Sequence, residues 1–275
     1  MAEVTAGMVK ELREKTGLPM MDCKQALAAT AGDMEAAVKH LREKGEKIKE
    51  TRLGRDTEAG RIAVYADVPS GKGAMIEFKC ESAPVAGSVE TKQFANELAK
   101  VFATTNVTTA EELLKQPAPS KPGMTLGEQM SDMFNRIREV FAIGRVAKFD
   151  SASGGYAHHD GSMGALVEVE GGTNEAAKDV AMHIVGKKPL VVTKEEVDPK
   201  SVEDERAHQA DMARKEGKPE NIIAKMIEGR MRNFYAERVL LEQPFVKEES
   251  KTVGKLAEES KMKIKRFLRW ELGKE

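Results

Sequence analysis

Val9-Lys10-Glu11-Leu12-Arg13-Glu14-Lys15-Thr16-Gly17-Leu18-Pro19-Met20-Met21-Asp22-Cys23-Lys24-Gln25-Ala26-Leu27 ends one amphipathic helix, turns on Gly17 and Pro19, and starts another helix at once. Asp22 followed three residues later by Gln25 reads as a capping box, which predicts a rigid joint. Two adjacent methionines on a tight turn cannot both point into a small core. At least one is expected to face water, where flexible thioethers suit a surface that packs against a partner. Core filling by both is the plainer alternative, because methionine is often buried.

Working outward, Thr5 can cap the first helix, whose apolar residues Met8, Val9 and Leu12 recur at helical spacing, and Gly17 ends it. The second helix is expected from Asp22 to Ala31, closed by Gly32. Asp33 then caps a third, with the stripe Met34, Ala37, Val38 and Leu41 on one face and Gly45 as its end. Gly45 to Arg61 is a mixed-charge run without an apolar face and reads as a linker or an exposed helix. A first domain over residues 1–55 follows from this pattern.

Composition narrows the function classes. With 275 residues there is room for one large domain or two to three small ones with real cores. Lys+Arg at 44 against Asp+Glu at 45 leaves a net charge of −1, without the broad positive field that nucleic acid or an anionic membrane would require. Protein partners are therefore expected. Cys23 and Cys80 are too few for a disulfide framework and lack Cys-x-x-Cys spacing, which points to reduced thiols in a cytosol. The N-terminus is charged from Glu3 onward, and no uncharged run is long enough to span a bilayer, so a soluble, unexported cytoplasmic protein is expected.

After the linker the period changes to two. Arg61 to Val68 and Ala74 to Cys80 flank Pro69-Ser70-Gly71-Lys72-Gly73, a hairpin pattern. Phe94, Leu98, Val101 and Phe102 mark a helix that would lie on these strands, and Gln116 to Gly123, with three prolines, reads as a loop. The second half echoes the first. Arg145 to Phe149 and Met163 to Val169 are expected to pair around a loop from Gly154 to Gly161, followed by a helix with Ala177, Val180, Ala181 and Ile184 on one face. Ala74-Met75-Ile76-Glu77-Phe78 matches Ala165-Leu166-Val167-Glu168-Val169, which suggests two related units over 56–143 and 144–275. Ser201 to Glu216 and Pro219 to Phe234, around Gly217-Lys218-Pro219, predict a helical hairpin at about 199–234. Arg238 to Lys247 and Lys263 to Glu271 resume strand-like alternation, the last strand rejoining the second sheet.

No catalytic signature is present: there is no Walker loop, nucleophile elbow, His-Glu-x-x-His helix or dinucleotide fingerprint. Tyr156-Ala157-His158-His159-Asp160-Gly161 is the one cluster that invites a metal or acid–base reading. Adjacent loop histidines rarely both ligate without further ligands nearby, so surface recognition by His158 is the better reading and no metal is expected. His183 reads as a packed helix residue.

The order of these motifs resembles a known family over nearly the whole chain. Val9 to Arg13, Met20-Met21-Asp22-Cys23-Lys24, Gly155-Tyr156-Ala157-His158, Ala181-Met182-His183, Gly217-Lys218-Pro219, Glu228-Gly229-Arg230-Met231, Gln243-Pro244-Phe245-Val246 and Lys251-Thr252-Val253 look like translation elongation factor Ts of the bacterial type. The resemblance implies an α+β fold. A three-helix ubiquitin-associated-like domain would precede a core of two related antiparallel-sheet-plus-helix subdomains, with a projecting helical hairpin. It implies guanine-nucleotide exchange on elongation factor Tu, in its GDP-bound and nucleotide-free states, by binding alone and without a cofactor. Lys10, Arg13, Leu18, Met20, Met21, Lys24, Val85 and His158 would face that partner, and the hairpin would carry a homodimer in members that dimerise. Some members continue into a further C-terminal helical module, which is expected to be lacking here, since the sequence stops at Glu275. One departure stands out. Where the family typically has Thr-Asp-Phe-Val, wedged beside the GTPase's magnesium and phosphate site, this chain has Ser82-Ala83-Pro84-Val85. Two rival readings remain: a scaffold binding other chains without nucleotide effects, and an RNA-associated subunit favoured only by the basic run Lys261 to Arg266.

Overall fold

The computed structural model describes residues 4–52, 54–216 and 219–274. The Thr5 hydroxyl accepts from the Met8 N–H to cap α1 (Ala6–Thr16), and Gly17, at φ 69°, closes it. The second helix, α2 (Met20–Ala29), starts earlier than expected, with Pro19 as its N-cap residue. Asp22 therefore lies inside the first turn, where it cannot cap. The expected box with Gln25 does not form, and both residues accept from Lys44 Nζ instead. Left-handed Ala31 and Gly32 carry the chain into α3 (Met34–Glu50), which Asp33 caps through the Ala36 N–H. Leu12, Cys23, Leu27 and Ala37 form a fully buried three-helix core.

Gly45 does not end α3, which runs on to Glu50, so the first part of the run read as a linker or an exposed helix is helix. The glycine answers a packing need: a Cβ there would sit 1.8 Å from Asn135 Oδ1.

The chain divides into two compact units, Met1–Arg61 with Glu77–Val146, and Ile62–Ile76 with Ala147–Glu275. Three strands, β1 (Ala59–Asp67), β2 (Lys72–Cys80) and β3 (Phe141–Phe149), make one sheet with β2 central. In the first unit, β2 is followed by α4 (Ala83–Gly87), α5 (Val89–Thr104), α6 (Ala110–Leu114) and α7 (Leu126–Ile137). Phe78 stacks on Phe141 at 5.5 Å between centroids and meets Phe94 of α5 edge-on at 5.4 Å. The periodicity of Phe94, Leu98, Val101 and Phe102 is borne out: all four are buried.

In the second unit, β4 (Ser153–Ala157), β5 (Met163–Gly171) and β8 (Met262–Glu271) form an antiparallel sheet in the order β4-β5-β8. The expected pairing of Arg145–Phe149 with Met163–Val169 is not found. The strand beside β5 is β4, built from residues read as loop. Its glycines are there for close approach: a Cβ on Gly154 would lie 2.4 Å from the Ala177 carbonyl carbon, and one on Gly155 would lie 2.4 Å from Val64. Ala177, Val180, Ala181 and Ile184 of α8 (Asn174–Lys187) bury against Ala165, Val167 and Val169, while Leu166 packs with Ile62 and Met75 on the other side.

Next come α9 (Pro199–Lys215) and α10 (Glu220–Arg238), packed together as the expected helical hairpin. Among its described residues, Ala213, Ile223, Met231 and Phe234 are buried; Gly217 and Lys218 of the expected turn lie outside the described residues. The alternation expected from Arg238 to Lys247 does not give one strand. The helix persists to Arg238, a 3-10 turn spans Leu240–Glu242, and only β6 (Pro244–Phe245) pairs, with β7 (Glu248–Thr252). A short helix, α11 (Val253–Glu259), leads into β8. The final strand does rejoin the second sheet. Among the described residues, no helix is long and apolar enough to cross a membrane.

Candidate partner-binding site

The turn between α1 and α2 is held from inside. The Gly17 N–H donates to the Arg13 carbonyl at 2.7 Å, the Thr16 hydroxyl donates to the Leu12 carbonyl at 2.7 Å, and Cys23 Sγ reaches the Leu18 carbonyl at 3.7 Å. Leu18 is drawn into the three-helix core. Leu18 and Cys23 point inward, and of the four residues between them Pro19, Met20 and Met21 are exposed, the two methionines at 55% and 62%. Lys10, Arg13 and Lys24 are also exposed, and Lys10 makes a long 3.9 Å contact with Glu14. The result is an apolar pair on a stiff turn with cationic side chains on the same two helices.

The second segment, Ser82-Ala83-Pro84-Val85, opens α4, with proline in its first turn, where the missing N–H costs nothing. Ser82 does not cap with its side chain. Its N–H and hydroxyl both donate to Glu139, at 3.1 and 2.6 Å, while Glu81 accepts from the Val140 N–H at 2.7 Å and from Arg55 at 3.0 Å. Partial burial alone would raise the Glu81 carboxyl, but the Val140 N–H and Arg55 together hold it below the ordinary range. Behind the segment, burial pushes the Cys80 thiol up to about 11, so it stays neutral. Ala83 and Pro84 are exposed and Val85 is half-buried.

In the second unit, His158 sits on the turn after β4. Its N–H donates to the Met163 carbonyl at 2.8 Å, and the Gly161 N–H returns to the His158 carbonyl at 2.8 Å, with Gly161 at φ 82°. Asp160 Oδ1 lies 2.9 Å from His158 Nδ1 and also accepts from the Ser162 N–H and hydroxyl; the backbone bond most of all keeps that carboxyl well below its usual range. Asp160 thus orients the imidazole and leaves Nε2 free of that bond. Among the described residues, no group of three or more His, Cys, Asp or Glu side chains is arranged to hold a metal. His183 is a packed residue, as expected: Nε2 lies 2.9 Å from Gln243 Oε1, and Nδ1 accepts from the Val246 N–H. Both cysteines are free and buried.

Sequence reasoning did not find the residues that brace these segments. Glu139 and Arg138 follow α7, a helix absent from the expectation. A signal existed, because Thr109–Glu112 and Thr125–Glu128 are complete capping boxes at the heads of α6 and α7.

The family model described as "Elongation factor TS" matches residues 85–274. A protein named Elongation factor Ts from Thioalkalivibrio sulfidiphilus (strain HL-EbGR7) is 38% identical over 273 residues, covering 98% of this chain and 92% of the relative. The proteins of that name from Hydrogenovibrio crunogenus and Clostridium botulinum (strain Alaska E43 / Type E3) are each 39% identical, again over 98% of this chain, and over 92% and 93% of the relatives.

Proposed function

The chain belongs to the elongation factor Ts family, and from that premise we propose that this translation elongation factor is a guanine-nucleotide exchange factor for elongation factor Tu, working in the cytoplasm by binding alone. A GTPase holding GDP with nanomolar affinity has about 12 kcal/mol invested in that complex. An exchange factor weakens it by preferring the nucleotide-free form, and the coupling is reciprocal. Weakening GDP about 10⁴-fold takes roughly 5.5 kcal/mol of differential affinity, more than one side chain supplies. Several contacts must act together: on this reading residues 1–55 would grip the partner, 56–143 would present the Ser82–Val85 segment, and 144–275 would present His158.

The observation that carries this reading is the exposure of Met20 and Met21 on a turn locked from within, since side chains of that size are left in water on a folded domain at the cost of the area they could bury. Lys10, Arg13 and Lys24 would surround the pair as a polar rim, Leu18 would set its shape from inside, and Val85 and His158 would add contacts elsewhere. Met212 and Ile222, both exposed on α9 and α10, support self-association through the hairpin.

Release of labelled GDP from purified elongation factor Tu tests the reading. Release should accelerate with factor concentration and saturate. Complex formation without acceleration would favour the scaffold reading, and RNA binding with a steep salt dependence would favour the RNA-associated one.

A further inference from the structure

The run of six residues from 135 to 140 in the first unit reaches α3 and both of its candidate contact segments. Asn135 packs so closely on α3 that only glycine fits at position 45, and the Arg136 side chain lies against the α1–α2 turn, 2.7 Å from where a Cβ on Gly17 would be. Arg138 donates to Asp22 at 2.9 Å, in the first turn of the helix that opens with Met20 and Met21, and its carbonyl accepts from Arg52. The next two residues, Glu139 and Val140, hold Ser82 and Glu81. One stretch of backbone therefore fastens the methionine turn on one side and the head of α4 on the other.

Arg138 stands where an arginine is unfavourable. It caps α7 in the left-handed region, at φ 65° and ψ 24°. That conformation crowds the Cβ of any L residue against the following carbonyl, and glycine adopts it freely. A residue needed only to end the helix would be better as glycine. What the arginine adds is its charged bond to Asp22, in which the two side chains are 29% and 21% exposed.

Resting on the exchange reading above, we propose that Arg138 is a positioning residue: it fixes the Met20–Met21 turn relative to the Ser82–Val85 segment, so that a GTPase gripped at the first meets the second at a set distance. Affinity gained at the methionines then acts at the second segment, because the two are parts of one rigid body and not tethered binders. Loss of the tie separates gripping from exchange.

Two variants test this, Arg138→Gly, which removes the guanidinium and relieves the backbone, and Arg138→Lys, which keeps the charge. Spin labels on Lys24→Cys and Gly87→Cys, both exposed positions, report the distance between the two segments, while buried Cys23 and Cys80 stay unlabelled. In Arg138→Gly the distance distribution should broaden or shift; an unchanged distribution overturns the proposal. In labelled-GDP release, the saturating rate should fall about fivefold or more while the half-saturating concentration stays within about twofold, with partial recovery in Arg138→Lys. A purely structural role would shrink the active fraction, raising the apparent half-saturating concentration at an unchanged saturating rate, and that pattern overturns the proposal too. If the unmodified protein fails to speed GDP release, the exchange reading falls, and the label distances alone still decide whether Arg138 ties the segments.

Discussion

The Met20–Met21 turn and the Ser82–Val85 segment each open a helix with exposed residues, yet they are built in opposite ways. The first exposes two large apolar side chains and is stiffened by its immediate neighbours, Thr16, Gly17 and Cys23. The second exposes little more than Ala83 and Pro84, and its stiffness comes from Glu139, 57 residues further along the chain. Area to bury gives affinity, and a small, externally clamped segment gives placement. On the exchange reading proposed above, gripping would fall to the first and disturbance of the nucleotide site to the second.

The sharpest way to break that division is to remove the apolar area. Met20→Ala with Met21→Ala should weaken the complex with elongation factor Tu by about 2–4 kcal/mol, the area term for two thioether side chains discounted for partial exposure. Melting should change little, since neither side chain is part of the three-helix core. Calorimetry that finds unchanged affinity together with a large drop in melting temperature would make the pair core and erase the contrast.

The converse experiment gives the second segment what it lacks. Burying a phenylalanine is worth roughly 1.5–3 kcal/mol and a charged hydrogen bond about as much again. Ala83→Asp with Pro84→Phe should therefore raise the saturating rate of GDP release by about threefold to tenfold, if half of one such term is made on the way to the nucleotide-free form and not in the GDP-bound complex. Stopped-flow release with the cognate elongation factor Tu decides. An unchanged or lower saturating rate would mean that this interface no longer uses a wedge at this position.

The two segments also differ in how much of each could be read from sequence. The methionine turn was legible because its argument is local: a Gly-x-Pro turn between helical stripes leaves adjacent side chains no shared interior. The same local habit misread Asp22, whose partners are Lys44 and Arg138, the latter 116 residues away. From sequence, Gly45 reads as a stop and Gly154 as part of a loop, because glycine usually punctuates. Here their function is close approach to Asn135 and Ala177, which no spacing rule reveals. The stripes of α5 and α8 were plain, since burial on one face imposes a period. Pairing of β4 with β5 was not, because a glycine-rich edge strand has no apolar alternation to show. Clamping by Glu139 was invisible for the same reason as the Asp22 bridge: ion pairs and side-chain bonds between distant residues leave no periodic trace.

Glu139 allows a milder test of placement. Glu139→Ala removes both bonds to Ser82 and should cost about 1–2 kcal/mol of stability, since hydrogen bonds to a charged group are worth about 1.5–3 kcal/mol and this one is partly solvated. The affinity step governed by the methionines should hold, while the saturating exchange rate falls. Loss of affinity equal to that of the methionine variant would show that the second segment grips as well.

The smallest effect concerns acid, and it separates both segments from the second unit. Neither the Gly17–Lys24 turn nor Glu81–Val85 contains a histidine, whereas His183 is buried in the second unit with Nδ1 accepting from the Val246 N–H. Burial, with a smaller contribution from Lys187, lowers its pKa in the folded protein, against the bond to Gln243. The unfolded chain, with an ordinary histidine near 6.5, then binds more protons than the folded one as pH falls. The stability this neutral histidine contributes is therefore complete above about pH 6.5 and is lost as pH falls below it, by under about 1 kcal/mol between about pH 7 and about pH 6. Protonation would also turn Nδ1 from acceptor to donor facing a donor, which removes the Val246 bond. Urea melts at the two pH values should show this loss, and His183→Asn, which does not titrate, should abolish its pH dependence even if it lowers stability throughout. Over the same range, affinity set by the methionine turn should stay level. An affinity that follows the stability loss would place a titrating group in the grip itself, and a pH dependence that survives His183→Asn would assign the acid response to a different residue.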